Sequence, residues 1–420
     1  MCASAPARPA GRPGNLCARA GLTISGRSGQ PGRNGGGRAE APSRSSHASM
    51  TTDILFRPLT LGAVHLQHRV VMAPLTRMRS RQPGDVPQPL NAEYYGQRAS
   101  RGGLVIAEAT DITAQARGYP GAPGIYTPEQ VEGWRAVADA IHAKGGFLFI
   151  QIWHTGRISH SSMQPGGALP VAPSPVPAPG QHMDARFNPV PFETPRELAE
   201  AEIAEIVGQF AEAARNARAA GADGVEIHSA NGYLIDQFLQ DSTNRRTDRY
   251  GGAIANRARF QLEIVDAVTA AIGADRVGIR ISPWGSFNGM RDSDPGALFD
   301  HVTAELGRRG LAYLHVVEPR ADQTSDVNAL DPNAPDAAAR FKRRFGGPLI
   351  AAGGFTPATA AAAVAGGDVD AVAFGRLFIA NPDLPERIRR GAGFNRYDRA
   401  TFYGGDARGY TDYPALSSAA

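Results

Sequence analysis

Eight short apolar segments, each followed by a longer segment of different pattern, constrain the fold of this chain more than any other feature. Near-continuous apolar strands are typical of a parallel sheet covered on both faces, and the segments between them are long enough for crossover helices. Eight such units in about 300 residues predict an α/β fold with a single closed (β/α)8, or TIM, barrel. The apolar segments are residues 69–73, 103–109, 147–153, 224–228, 277–281, 312–317, 348–352 and 371–374.

One connection in this pattern is unusually long. Residues 157–195, which follow the third apolar segment, are rich in proline and glycine. A connection of this length in a compact domain usually has a function, such as covering an active site. We therefore predict a long lid loop between the third strand and its helix, with a small hairpin inside it.

Residues 1–49 differ in composition from the rest of the chain. They contain seven arginines, no lysine, a single acidic residue and both cysteines, Cys2 and Cys17, in a background of Gly, Ser and Pro. Without apolar periodicity, this composition predicts a disordered basic extension that precedes one domain at residues 50–420. Two origins are open: an organellar targeting segment, or an upstream start with the natural start at Met50. The second is favoured, because domain-like sequence begins directly after Met50, and we expect a cytoplasmic protein.

The charge and cysteine content exclude several classes of function. The chain has a pI of about 9.2 and 44 Lys and Arg against 40 Asp and Glu. Residues 1–49 hold seven of these basic residues and one acidic residue, which leaves 37 basic against 39 acidic residues in the rest, so the basic excess lies in the extension. No nucleic-acid partner is therefore expected. The sequence also lacks a run of about 18 apolar residues, the length needed to span a bilayer, so no membrane partner is expected. A domain without cysteine cannot use thiolate nucleophiles or Cys-ligated metals, and no metal site is predicted. A monomer and a homodimer both remain possible.

Polar residues cluster where the predicted strands end. In a (β/α)8 barrel the active site is built at the carboxyl ends of the strands. Any one polar residue there could be an ordinary hydrogen-bonded loop residue, but convergence from several strands predicts a site. The residues concerned are Thr76, Gln151, Trp153, His228, Asn231, Tyr233 and Arg280.

The last two strands end in glycine-rich turns. Ala352-Gly353-Gly354 closes the seventh apolar segment, and Phe374-Gly375-Arg376 closes the eighth. These loops of a barrel commonly hold a phosphate, because glycines let backbone N–H groups approach the oxygens and an arginine adds charge. The two turns together predict a cofactor that carries a phosphate.

Several motifs resemble those of the old yellow enzyme family. They are residues 72–77 (MAPLTR), 151–157 (QIWHTGR), 228–252 (HSANGYLIDQFLQDSTNRRTDRYGG), and 374–376 with 381–383. The likeness extends from about Met50 to Tyr413 and is close to the bacterial N-ethylmaleimide and pentaerythritol tetranitrate reductases. It implies an FMN-dependent ene-reductase, in which NADPH or NADH reduces FMN and hydride then passes to the β-carbon of an enone, maleimide or nitroalkene. Activity mainly on nitro compounds or nitrate esters is the alternative.

The resemblance also implies which residues bind FMN. The Thr76 hydroxyl would bind flavin O4, Gln151 would hold the pyrimidine edge, and Arg280 would lie near N1 and O2, where the reduced ring carries negative charge. The turns at Gly353 and Gly375 would bind the phosphate. The full implied set is Pro74, Leu75, Thr76, Ala109, Gln151, Arg280, Ala352, Gly353, Gly354, Phe374, Gly375 and Arg376.

The resemblance assigns substrate activation to His228 and Asn231, which would both donate to one carbonyl or nitro oxygen. Tyr233 would protonate the α-carbon, and Thr76 would tune the redox potential of the flavin. Many bacterial relatives have two histidines where this chain has His228 and Asn231, so its preference between nitro compounds and enones is open. Tyr119, Trp153 and Tyr403, together with His228 and Asn231, would form the substrate pocket.

Three other classes fit the sequence less well. A relative of dienoyl-CoA reductase or trimethylamine dehydrogenase would need cysteines for an iron–sulfur cluster and additional domains. An aldolase would need a lysine or a metal-ligand set at the strand ends, and the eight apolar segments contain no lysine. A flavin-storage protein would not need His228, Asn231 and Tyr233.

Overall fold

The structure is a computed structural model that describes residues 52–319 and 336–417. The predicted disordered extension at residues 1–49 lies outside the described residues. The strands of the described part are β1 (Leu59–Leu61), β2 (Val64–Leu66), β3 (Val70–Met72), β4 (Leu104–Asp111), β5 (Phe147–Trp153), β6 (Val171–Ala172), β7 (Gln181–Met183), β8 (Pro189–Pro191), β9 (Arg196–Glu197), β10 (Gly224–Ser229), β11 (Val277–Ile281), β12 (Tyr313–Val317), β13 (Leu349–Ala352) and β14 (Ala371–Phe374).

Eight of these strands close into a parallel barrel, which confirms the predicted fold class. Their order around the barrel is β3, β4, β5, β10, β11, β12, β13 and β14. The last strand pairs with the first, with Phe374 opposite Met72, so the barrel has no free edge. Each predicted apolar segment corresponds to one barrel strand; three agree at both ends, and the other five differ by at most two residues at an end.

Helices connect the barrel strands and cover them. They are α1 (Pro89–Arg98), α2 (Pro128–His142), α3 (Glu200–Ala219), α4 (Leu234–Leu239), α5 (Ile254–Ile272), α6 (Pro295–Gly307), α7 (Ala337–Phe345), α8 (Pro357–Gly366), α9 (Arg376–Ala380) and α10 (Leu384–Arg390). Short 3-10 turns occur at Asp53–Phe56, Ala114–Ala116, Ser161–Met163, Pro165–Gly167, Ala274–Arg276, Phe287–Gly289 and Arg399–Thr401. None of the helices in the described ranges has the length and apolarity required to cross a membrane.

Local sequence explains where these helices begin and which face they bury. Helix α2 has Pro128 in its first turn, and the Thr127 side chain accepts a hydrogen bond from the backbone N–H of Gln130. Helix α3 buries Ile203, Ile206 and Phe210, whose spacing places them on one side of the helix against the barrel. The main core therefore lies between the strands and the helices.

The long connection after β5 does contain a hairpin. Strands β7 and β8 pair antiparallel, with Gln181 opposite Pro191. The short strands β6 and β9 pair parallel nearby, with Val171 opposite Arg196. These pairings confirm the predicted hairpin within the long segment that precedes α3.

Candidate active site

A first cavity lies at the ends of β13 and β14 and has a volume of about 140 Å³. We call it the glycine-lined cavity. It brings together nine of the twelve residues that the sequence assigned to the cofactor, whereas Thr76, Ala109 and Gln151 lie elsewhere. Its lining is Ala73, Pro74, Leu75, Arg280, Ala352, Gly353, Gly354, Phe355, Ala373, Phe374, Gly375, Arg376 and Leu377.

The backbone and the charges of this cavity suit a phosphate. Gly353 has a φ of 117°, a conformation that residues with a side chain rarely adopt. A Cβ on Gly375 would lie 3.2 Å from the Leu75 side chain, so glycine keeps this part of the cavity open. The buried Arg280 Nε and Arg376 Nη1 have no hydrogen-bond partner among the described residues. Buried donors without partners are costly, so an anion that accepts from them fits the cavity.

A second, larger cavity of about 570 Å³ adjoins the first and shares Pro74, Leu75 and Arg376 with it. We call it the outer cavity. It contains Tyr119, Tyr233 and Tyr403, which were predicted to lie on the substrate side, and also Thr76, which was predicted to bind the flavin. The lining is Pro74, Leu75, Thr76, Arg77, Met78, Tyr119, Met183, Tyr233, Phe287, Arg376, Ile379, Arg399, Phe402 and Tyr403.

Apolar residues at the mouth of the outer cavity were not identified from the sequence. Met183 comes from the hairpin, and Phe287 comes from the loop after β11. Phe287 is 40% exposed and Tyr403 is 62% exposed, so large apolar surface faces solvent here. The sequence shows only that these loops contain hydrophobic residues. It does not show which of those residues reach the cavity.

Four aromatic rings pack together beside the outer cavity. The Trp153 ring stacks on both Tyr119 and His228, at centroid distances of 5.7 Å and 5.9 Å and interplanar angles of 13° and 9°. Tyr233 meets the Trp153 ring edge-on at 4.5 Å. Among the described residues that line the outer cavity, Tyr119 and Tyr233 are present, whereas His228, Asn231 and Trp153 are not.

Burial keeps the two tyrosines protonated and the histidine neutral. It raises the pKa of Tyr233 well above its usual value of 10, with a further contribution from Tyr119, and raises the pKa of Tyr119 to about 12. It lowers the pKa of His228 well below 6.5, and the nearby Arg280 lowers this pKa further. The buried Nδ1 of His228 has no hydrogen-bond partner in the described part of the chain. Tyr233 is therefore an available proton donor, and His228 is a neutral imidazole.

The backbone of Asn231 is held by the loop that follows β11. Its N–H donates to Ser282 Oγ at 2.8 Å, and Asn288 Nδ2 donates to its carbonyl at 2.9 Å. Asn231 has a φ of 59°, in the left-handed region that asparagine tolerates better than most residues. The turn between His228 and Tyr233 is therefore fixed by contacts outside itself.

A buried polar cluster lies within the barrel strands. Gln151 Nε2 donates to Glu226 Oε1 at 2.7 Å, and His315 Nδ1 lies 2.8 Å from Glu226 Oε2. Sequence analysis selected Gln151 but not Glu226 or His315. The signal was present, because a glutamate and a histidine inside apolar strand segments have to be paired in order to be buried.

The end of the chain closes one side of the outer cavity. The Arg77 guanidinium donates to the carbonyl oxygens of Phe402 and Gly409, each at 2.9 Å, and to the Tyr94 hydroxyl. These contacts hold the segment that carries Tyr403, which the sequence placed at the rim of the pocket. The loop after β3 and the end of the chain therefore form one wall.

Comparisons with known proteins agree with this arrangement. The sequence profile of the NADH:flavin oxidoreductase / NADH oxidase family, which is FMN-dependent, matches residues 54–395. Flavin oxidoreductase hxnT of Emericella nidulans is 48% identical over 379 residues, which cover 86% of this chain and 97% of that protein. The 12-oxophytodienoate reductase 2 of Arabidopsis thaliana is 48% identical over 367 residues, which cover 87% and 96%.

Solved structures show the same likeness. Morphinone reductase in complex with tetrahydroNAD has 49% sequence identity and a TM-score of 0.80, and the match covers 86% of this chain and 98% of that chain. The family profile spans most of the described residues of this chain. The relatives match this chain over nearly the whole of their own length. The chain therefore belongs to the NADH:flavin oxidoreductase / NADH oxidase family, the family of the old yellow enzymes, whose cofactor is FMN.

Proposed function

We propose that this FMN-dependent oxidoreductase is an ene-reductase that reduces activated alkenes at the expense of NADPH or NADH. The observation that carries the proposal is the position of Tyr233, a protonated phenol that lines the outer cavity beside the neutral imidazole of His228. An alkene reductase needs an acid of this kind, because a proton has to be added to the α-carbon.

FMN, when bound, supplies the ring that accepts hydride from the nicotinamide and donates it to the alkene. The residues of the glycine-lined cavity would hold it. Gly353, Gly354, Gly375 and Arg376 would bind the phosphate, and Arg280 would place a positive charge at the ring.

The residues on the substrate side divide the remaining work. His228 and Asn231 would donate to the carbonyl oxygen and stabilise the negative charge that develops there as the β-carbon is reduced. Tyr233 would then deliver its proton to the α-carbon. Trp153 would keep both rings in place, since it stacks on His228 and contacts the edge of Tyr233.

Carbonyl compounds are the proposed substrate class, ahead of nitro compounds and nitrate esters. The names of the relatives, 12-oxophytodienoate reductase and morphinone reductase, both designate oxo compounds. The exposed apolar side chains of Phe287 and Tyr403 at the mouth of the outer cavity favour substrates that carry apolar groups. The nicotinamide would bind in the same cavity as the alkene, which predicts ping-pong kinetics.

An absorption spectrum of the purified protein tests the proposal directly. We expect flavin bands that bleach when NADPH is added without oxygen and return when 2-cyclohexenone follows. Bands that bleach with NADPH but return only with a nitro compound would support the alternative substrate class. Bands that neither reagent changes would contradict both.

We further propose that residues 50–420 form the complete catalytic unit. Deletion of residues 1–49 should leave the rate of enone reduction and the melting temperature unchanged. A large loss of either would show that the basic extension contributes to the folded enzyme.

A further inference from the structure

The strands of the barrel bury a carboxylate that the proposed mechanism does not use. Glu226 lies in the middle of β10 and is completely buried. Its two oxygens are hydrogen-bonded to Gln151 on β5 and His315 on β12. A carboxylate without access to water destabilises the folded protein unless its partners compensate for the lost hydration. Its presence beside residues assigned to the flavin therefore requires an explanation.

The ionisation of Glu226 follows from its surroundings. Burial alone would raise the pKa of Glu226, but the interactions with His315 and then with Arg280 outweigh burial and hold the pKa below its usual value. Burial lowers the pKa of His315, so this imidazole is neutral. The pair therefore carries one negative charge inside the barrel.

The charge of Glu226 fixes the orientation of the Gln151 amide. An ionised carboxylate can only accept hydrogen bonds, so Gln151 must present its NH₂ group to Glu226. The Gln151 carbonyl oxygen then points away from the carboxylate and can accept a hydrogen bond, as the N3–H group of a flavin would require. In the same way, His315 must carry its proton on Nδ1.

Glu226 also acts on Arg280. The two residues lie on neighbouring strands. Burial lowers the pKa of the Arg280 guanidinium, and Glu226 is the strongest charged influence that opposes this shift. Arg280 lines the glycine-lined cavity. A negative charge behind this guanidinium reduces the positive potential that it directs into the cavity.

We propose that Glu226 is a positioning residue with His315 as its hydrogen-bond donor. It orients Gln151 toward FMN, and it lowers the reduction potential of the bound flavin by offsetting the charge of Arg280. The inference rests on the FMN binding that is part of the proposed function, and it extends that function to the control of the potential. A low potential favours the transfer of hydride from the reduced flavin to the alkene.

The test is the midpoint potential of the FMN holoenzyme, measured by dye-linked titration without any alkene. Glu226→Gln keeps the size of the side chain and removes its charge. We expect reduced FMN to gain at least tenfold in affinity relative to oxidised FMN, which raises a two-electron potential by about 30 mV. The matched control is Asp223→Asn, because Asp223 pairs with His142 at the opposite end of the barrel and should leave the potential unchanged.

A second variant covers the case in which Glu226→Gln does not fold. His315→Phe removes the donor and lets Glu226 protonate more readily. The midpoint potential of FMN in this variant should therefore exceed that in the unmodified enzyme most at low pH, and the difference should disappear as the pH rises. Of the other titratable groups near Glu226, Tyr313 stays protonated, because burial raises its pKa well above 10, and His228 stays neutral, because burial lowers its pKa.

The two proposals can fail separately. An unchanged or lowered potential in Glu226→Gln, or a shift in His315→Phe that does not depend on pH, would overturn the role of Glu226. Neither result depends on whether 2-cyclohexenone reoxidises the flavin, which is the test of the proposed function. A protein that takes up no FMN would overturn both.

Discussion

The hydroxyl oxygens of Tyr119 and Tyr233 lie 3.2 Å apart, and both side chains line the outer cavity. Either hydroxyl can be the donor in this hydrogen bond. The bond keeps the Tyr233 hydroxyl beside that of Tyr119. Tyr119 also stacks on Trp153, so its ring has little freedom to move. The Tyr233 hydroxyl is therefore held in a defined position in the outer cavity, as its proposed role as proton donor requires.

Replacement of Tyr233 by phenylalanine should slow alkene reduction by about 100-fold or more, because it removes the proton donor. Reduction of the flavin by NADPH should change little, since that half-reaction needs no proton from Tyr233. Stopped-flow measurement of the two half-reactions checks this expectation. Equal slowing of both steps would remove Tyr233 from the role of proton donor, and Tyr119→Phe should give a smaller effect.

Replacement of His228 and Asn231 by alanine should abolish the binding of phenols, whose oxygen resembles that of the enolate. Loss of one such donor typically costs about 100-fold in rate, so the double variant should reduce enones very slowly. Titration of the flavin spectrum with p-hydroxybenzaldehyde measures the binding. His142→Ala, a histidine at the opposite end of the barrel, is the control, and phenol binding retained by the double variant would argue against the assigned role.

Replacement of Arg376 by alanine should yield protein that is depleted of flavin. The residue lines the glycine-lined cavity, and its buried Nη1 has no hydrogen-bond acceptor among residues 52–319 and 336–417. The ratio of flavin to protein absorbance after gel filtration provides the measurement. Arg343→Ala, an exposed arginine on α7, should keep full occupancy. Full occupancy in Arg376→Ala would place the phosphate elsewhere.

The rate of the alkene half-reaction should be nearly constant between about pH 6.5 and 10, the ordinary pKa values of histidine and tyrosine. The lowered pKa of His228 means that it gains a proton only well below 6.5, and the raised pKa of Tyr233 means that it loses its proton only above 10. Single-turnover reoxidation with 2-cyclohexenone across this range measures the profile. A titration step within it would contradict the protonation states on which the mechanism depends.

Replacement of Arg98 by methionine should lower the free energy of unfolding by about 3 kcal/mol or more, because each buried carbonyl left without a donor costs about 1–3 kcal/mol. Arg98 is completely buried and donates to the carbonyl oxygens of Phe378, Ile379 and Tyr410. Urea unfolding of the FMN-saturated protein gives the value. Arg101→Met, at an exposed position, should change it by less than about 0.5 kcal/mol.

The sequence predicted the barrel well because each strand is a compact apolar segment whose pattern does not depend on distant contacts. The glycine-rich turns that line the first cavity were predictable for the same reason, since Gly353 and Gly375 follow their strands directly. The mouth of the outer cavity was not, because Phe287 and Met183 reach it only through irregular loops. Glu226 and His315 were overlooked because their importance arises from pairing across strands that lie far apart in the chain.

The contacts of Arg77 have a consequence for the synthesis of the protein. Arg77 directly follows Thr76, yet its guanidinium is held by carbonyl oxygens that lie 325 and 332 residues further along the chain. A ribosome adds these partners only after it has completed all eight strands of the barrel. The loop after β3 therefore reaches its final conformation only after the whole barrel has been synthesised, and a message cut before the codon for Phe402 encodes all eight strands without the carbonyl groups that hold this loop.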